Sequence, residues 1–275
     1  HVAAMGLMSK DAKGPAAGHD GAHESSLFLP WHREFVYRFE QALRSVNPDV
    51  TIPYWDWTNP DALNVIFQDD FMGPNGEGVT LDLPGLGSVS GGPVPSGAFS
   101  ANNGWTIIPE LHLKETGETL GSVLLRFLRV PPINVYPVPQ ADIEQILAVN
   151  DYDPFRLALE GFIKLDQGQR IPGVFQHNYF HSFVGGATFD PAIGRPVALG
   201  TMADLGSSIN DPVFWLLHSN IDRIWAEWQK KGHEGSAFYP ASGLHYGENL
   251  KDRLWPWDGG ESTPANQGGK DQLSL

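Results

Sequence analysis

The stretch QHNYFHSF, residues 176–183, sets His177 and His181 four positions apart. On a helix that spacing stacks both imidazoles on one face, about 5–6 Å apart at Cβ. Two rings that close are either a costly accident or two ligands of one metal ion. Ten histidines occur in all, at 1, 19, 23, 32, 112, 177, 181, 218, 233 and 245, and there is no cysteine. Thiolate metal sites, disulfides and cysteine nucleophiles are therefore excluded, and any transition metal must be held by histidine or carboxylate. An imidazole cluster without nearby carboxylates favours zinc, copper or nickel over hard oxygen-seeking ions. A catalytic zinc normally takes three histidines and a water, whereas two sets of three suit a pair of coppers. A single histidine on an apolar helix face is more often a hydrogen-bonded core residue. Several on separate helices need a shared purpose, because each buried imidazole lacking a partner costs about 1–3 kcal/mol.

The elements that must position these rings are helical. HREFVYRFEQALRSV (32–46) puts His32 in a first turn and Phe35, Phe39, Ala42 and Val46 on one stripe, with Asn47-Pro48 as its stop. Segment 153–165 opens on Asp153-Pro154, an N-cap followed by proline at the first helical position. DPVFWLLHSNIDRIWAEWQKKG (211–232) has Asp211 as cap, Pro212 as its start, two lysines in its last turn and Gly232 as its close. His218, Ile221, Trp225 and Trp228 share one face of it. Strand signals are short: TIPYW (51–55), WTIIPEL (105–111) and GATFDP (186–191). With 31 glycines and 22 prolines, long irregular connections are expected, above all over 72–104, 130–139 and 256–269. The economical fold is a mainly α helix bundle enclosing a dinuclear metal site, with long loops and few strands; such bundles build metal sites from facing helices.

FLPWHREFVYRFE (28–40) resembles the first copper motif of the tyrosinase family, the type 3 dicopper proteins, in which a histidine nine residues earlier, here His23, is also a ligand. NDPVFWLLHSNIDRIWAEWQ (210–229) resembles the closing helix of the second copper motif, and PYWDW (53–57) is a further family phrase. The resemblance runs from about residue 1 to 232 and implies a tyrosinase or polyphenol oxidase of bacterial type. Carried over residue by residue, it implies one copper on His1, His23 and His32 and a second on His177, His181 and His218. His19 is the rival to His1. The family has a helix before its first ligand, so the sequence is expected to begin partway through a single copper domain spanning 1–275. Leu217-His218 lacks the double histidine frequent in the family, and without cysteine the thioether of plant, fungal and molluscan members cannot form.

The resemblance further implies two copper ions with dioxygen as co-substrate, bound side-on as peroxide. The reactions would be ortho-hydroxylation of monophenols and oxidation of o-diphenols to o-quinones, the precursors of melanin. Asn178 and Glu160 take the places of the asparagine and glutamate linked to a water that distinguishes monophenol hydroxylation. Against this, Glu160 reads as a helix-surface carboxylate and Asn178 as a helix-face polar residue. In MADLGSS (202–208) Leu205 takes the place of a bulky gate residue, and Ser182 after His181 offers no charge to steer a carboxylate. Asp211 and Asp222 are candidates to orient ligands, with a helix cap or surface charge as the plain reading. His112, His233 and His245 match no ligand place and are expected to be exposed. Trp31, Trp55, Trp57, Trp215 and Trp225 are expected in the core.

Formal charge is −14 over 275 residues. Nucleic acid and anionic membrane surfaces would be repelled, and no run approaches the ~18 apolar residues of a membrane span. A small neutral or cationic phenol such as tyramine is the expected substrate, ahead of phenolic acids. No signal peptide is recognised, so a soluble protein is expected, secreted or cytoplasmic. A copper-loading partner protein or removed extension is compatible with the resemblance, and the tail after 258 carries no recognisable plug. Competing readings are a catechol or o-aminophenol oxidase without monophenolase activity, a haemocyanin-type oxygen carrier, disfavoured by the absence of an added blocking domain, and a dizinc hydrolase, disfavoured by the absence of bridging carboxylates.

Overall fold

The computed structural model describes residues 1, 22–83, 85, 87–114, 116–161, 176–190, 195–239, 249–252, 254–257 and 259. His19, His245 and nearly all of the tail after 258 lie outside them. The chain is mainly helical and divides into two compact units. One comprises 1–54, 141–176 and 218–275, and the other 55–140 and 177–217. No helix among the described residues is long and apolar enough to cross a membrane.

In the first unit, α1 (Phe28–Val46) begins two residues before Pro30, whose missing N–H falls in the turn where amide donors lack helical partners anyway. Its buried side is Phe28, Leu29, Trp31, His32 and Val36. The expected stripe fails at its far end, where Ala42 and Val46 are exposed: apolar periodicity marks a face, and among the described residues nothing covers this one beyond Phe39. α4 (Tyr152–Glu160) follows Asp151 and ends on Gly161, whose φ of 110° suits a residue without Cβ. Asp153 is therefore inside the first turn and not its cap; its carboxylate accepts from Ser26 Oγ at 2.8 Å. The remainder of 153–165 lies outside the described residues. α6 (Val213–Lys230) contributes its part from His218 onward to this unit. Phe155 stacks on Trp228 at 4.6 Å, Tyr152 donates to the Ser26 carbonyl at 2.7 Å, and Trp31 donates to the Trp255 carbonyl at 2.8 Å. Arg33 lies 3.6 Å over the Trp225 ring and pairs with Asp222. Arg33 thus ties α1 to α6 on one side of His32, and Trp31 ties α1 to Trp255 on the other.

The second unit holds two small antiparallel sheets. β1 (Val79–Leu83) pairs with β2 (Gly87–Pro93), which pairs with β3 (Leu125–Arg126); β4 (Ala187–Asp190) forms a hairpin with β5 (Arg195–Ala198). The expected 186–191 strand is β4. Residues 51–55 and 105–111 are not strands. The Ile52 amide donates to the Glu40 carboxylate at 3.1 Å and the Trp55 amide to the Leu216 carbonyl at 3.0 Å, so the backbone is satisfied without a ladder. Pro109–Leu111 is a 3-10 turn. α2 (Ala62–Ile66) is a short connector, and α3 (Gln140–Leu147) begins at this unit's last residue before 177 and otherwise belongs to the first unit. α5 (His177–Gly185) packs Phe180 against Trp57 at 4.6 Å and Trp55 at 4.9 Å. Of the five tryptophans expected inside, only Trp215 is half-exposed.

The start of α6 is anchored by a buried ion pair. Arg126 donates from Nε and Nη2 to the two Asp211 oxygens, both at 2.8 Å, and from Nη1 to the Met72 and Gly73 carbonyls at 2.7 Å. Asp211 also accepts from the Val213 amide at 3.0 Å, as a cap should. Arg126→Met strands the buried carboxylate, and chemical denaturation should register a loss of about 3–5 kcal/mol. A loss below 1 kcal/mol would contradict this anchoring.

Candidate metal centre

Three histidine rings meet within the first unit. His23 and His32 are buried and His1 is half-buried, with ring centroids 4.9 Å (His1–His23), 5.0 Å (His23–His32) and 5.7 Å (His1–His32) apart. One nitrogen from each lies within 4.8 Å of the others, a spacing at which one ion can be shared. The His32 Nδ1 lies 2.9 Å from the Phe28 carbonyl, which can only accept, so Nδ1 carries the proton and Nε2 the lone pair. His218, on α6, stacks on His32 at 4.2 Å and 8°.

In the second unit, α5 brings His177 and His181 together as the i, i+4 spacing requires. His177 Nδ1 donates to Asn178 Oδ1 at 2.9 Å, and His181 Nδ1 donates to the Met202 carbonyl at 2.8 Å. With both protons on Nδ1, the two Nε2 lone pairs face one another at 3.0 Å. Lone pairs so placed repel, and a cation held between them relieves that repulsion. This donor set, all nitrogen and borderline in softness, fits copper or zinc.

The groups that orient the rings are mostly not those expected. Asp211 is committed to Arg126 and Asp222 to Arg33. Two backbone carbonyls and Asn178 do the orienting. The Met202 carbonyl had no sequence signal, because any residue carries one. Glu160 is not a surface carboxylate: it is buried, accepting from the Glu24 amide at 2.6 Å and from Arg156 at 3.1 Å. Burial pushes its carboxyl up, against the lowering effects of Arg156 and His23. Leu205 and Ser182 are half-buried, the former three residues beyond Met202. His112, expected to be exposed, is fully buried between Gly121 and Thr201. His233 is half-buried, stacked on Trp228 at 4.4 Å.

Residues 3–231 match the family model described as the common central domain of tyrosinase. A tyrosinase of Streptomyces glaucescens is 37% identical over 253 residues, covering 91% of this chain and 78% of that protein. A grixazone synthase of Streptomyces griseus is 32% identical over 286 residues, covering 94% and 83%. Among solved structures, a polyphenol oxidase variant of Thermothelomyces thermophila superposes with a TM-score of 0.55 at 26% identity, covering 89% of this chain and 71% of that one.

Proposed function

We propose, on the premise that this chain belongs to the tyrosinase family and is thus a copper-dependent oxidoreductase, that it hydroxylates monophenols at the ortho position and oxidises o-diphenols to o-quinones. The stoichiometries are one monophenol and one dioxygen to one o-quinone and one water, and two o-diphenols and one dioxygen to two o-quinones and two waters. The observation that carries the reading is the pair of Nε2 lone pairs of His177 and His181 converging at 3.0 Å.

In this reading 1–275 act as one copper domain. His1, His23 and His32 hold one copper, and His177, His181 and His218 the other. Phe214 supports the place of His218 in that set: its ring is 5.9 Å from that of His181, and His218 follows it by one helical turn on the same face of α6. Bound copper supplies the redox chemistry with dioxygen. The chain's own residues orient the ligands and handle the phenolic proton. Asn178 keeps the proton of His177 on Nδ1, leaving Nε2 to donate. Glu160, buried and held by Arg156 and the Glu24 amide, takes the phenolic proton through a water. The Arg156 and Glu24 bonds fix the carboxylate before substrate arrives, so no ordering cost falls on the reaction.

Leu205 is the proposed gate. Leu205→Phe narrows the entrance and should raise KM for a bulky phenol about tenfold, equivalent to ~1.4 kcal/mol; unchanged kinetics would remove Leu205 from that role. Ser182, uncharged, leaves the acidic surface to set preference, so tyramine should be used ahead of phenolic acids.

The test is copper reconstitution of the metal-free chain followed by oxygen uptake. Two coppers per chain and turnover of both tyramine and dopamine support the reading. Turnover of dopamine alone supports a diphenol oxidase instead, and a chain that binds no stoichiometric copper ends the dicopper assignment.

A further inference from the structure

We propose that His112 is a positioning residue for the second metal: acting through Thr201, it fixes the Met202 carbonyl that orients the His181 ring. The inference rests on the reading of His181 as a copper ligand.

The bonds run in one direction. His112 Nδ1 is 2.8 Å from the Gly121 carbonyl and so carries the ring proton. His112 Nε2 then has a lone pair, and it stands 3.0 Å from Thr201 Oγ1. The Thr201 hydroxyl donates to that nitrogen and, through a lone pair, accepts the Leu125 amide at 3.0 Å. The Thr201 carbonyl accepts from Ser207 Oγ at 2.7 Å. Thr201 is thereby held from three sides, fully buried. Met202 is the next residue, and its carbonyl accepts from His181 Nδ1 at 2.8 Å.

The packing leaves no slack for Thr201 to shift without moving this carbonyl. The turn Thr201–Ala203 lies so close to α5 that a Cβ on Gly185 would stand 2.1 Å from the Ala203 amide nitrogen. A Cβ on Gly200 would stand 2.6 Å from the Leu125 carbonyl oxygen and 2.7 Å from that of Gly185. Only glycine permits either approach, so the turn is seated directly on the helix that carries both His177 and His181. A shift at Thr201 reaches the His181 ring within one peptide unit and one hydrogen bond. Groups that orient a metal-bound histidine typically account for 10–100-fold in metal affinity, and His112 acts one bond further out through a rigid link.

The alternative is that His112 only fills the core. Side-chain chemistry separates the two. Glutamine at 112 can set an amide oxygen where Nε2 now accepts from Thr201, whereas asparagine reaches only the Nδ1 place. Thr201→Val keeps the volume and removes the hydroxyl, and Thr201→Ser keeps the hydroxyl.

The experiment compares the full chain with His112→Asn, His112→Gln, Thr201→Val and Thr201→Ser. The readouts are copper stoichiometry under chelator competition, ring-nitrogen NMR of His181 in the metal-free protein, and thermal unfolding. His112→Asn and Thr201→Val are expected to weaken one of the two coppers about tenfold and leave the other unchanged. They should also replace the single Nδ1–H form of His181 with a tautomer mixture. Glutamine and serine should restore both signals. Equal loss of both coppers in step with lost stability, or an unchanged His181 signal in Thr201→Val, overturns the proposal. A wild-type chain that binds no pair of coppers would instead refute the underlying dicopper reading, and the His181 signal of the metal-free variants would still decide the positioning claim.

Discussion

His181→Asn should release one copper of the expected two and lower oxygen uptake with dopamine at least ~100-fold. The scale follows from the ring's place. Substitution of a group that merely orients a metal ligand costs about 10–100-fold, and in the proposed reading the ligand itself is removed. Asparagine can still reach the Met202 carbonyl but presents no lone pair toward His177 Nε2, 3.0 Å away from the present nitrogen. The histidines at 1, 23 and 32 belong to the other unit and keep their geometry, so metal analysis should find about one copper per chain. In the proposed reading both metals take part in a two-electron exchange with dioxygen, so a half-loaded site should turn over no phenol at a useful rate. Retention of two coppers and full activity would remove His181 from the ligand set. Loss of both coppers together would instead point to a collapse of α5, which the metal-free circular dichroism spectrum would reveal.

That α1, α5 and α6 are helices bearing histidines was legible from local sequence, whereas the six-histidine ligand set came from the family resemblance. The i, i+4 pair in QHNYFHSF, the Asp211-Pro212 start of the last helix and the Asn47-Pro48 stop of the first each encode local geometry, and the structure has helices at all three places. What spacing could not encode is which polar groups end up inside. His112 sits in a loop without periodicity, and its partners are the Gly121 carbonyl and Thr201, the latter 89 positions away. Arg126 meets Asp211 across 85 positions. Such contacts depend on chain topology, so a cap and a charge were visible where a buried ion pair exists. The Ala42–Val46 turn errs in the other direction: an apolar stripe was present, and no element among the described residues covers it.

Glu160→Gln should separate the two activities. Glutamine keeps an oxygen for the Glu24 amide, 2.6 Å from the present Oε1, and is close to isosteric, so the end of α4 should hold its shape. What disappears is the base of the proposed function. Tyramine must lose its phenolic proton before oxygen can be inserted, and a positioned general base contributes about 10²–10⁴-fold to such a step. Tyramine hydroxylation should fall by at least about 100-fold in kcat/KM. Dopamine's first hydroxyl ionises more readily than a lone phenol because the adjacent hydroxyl hydrogen-bonds the phenolate, and its oxidation should fall less than about tenfold. The ratio of the two rates is the informative quantity, because a purely structural role for Glu160 lowers both in parallel along with copper content. Arg156 adds a second constraint. Its Nη1 donates to Glu160 at 3.1 Å, and the neutral amide removes that buried anionic partner, leaving the guanidinium the more distant Asp153 carboxylate at 3.9 Å. Part of any lost stability therefore belongs to Arg156, and a double substitution, Glu160→Gln with Arg156→Met, should recover stability without recovering tyramine turnover. Recovery of both would make Glu160 a structural counter-ion to Arg156 and leave the phenolic proton to another group.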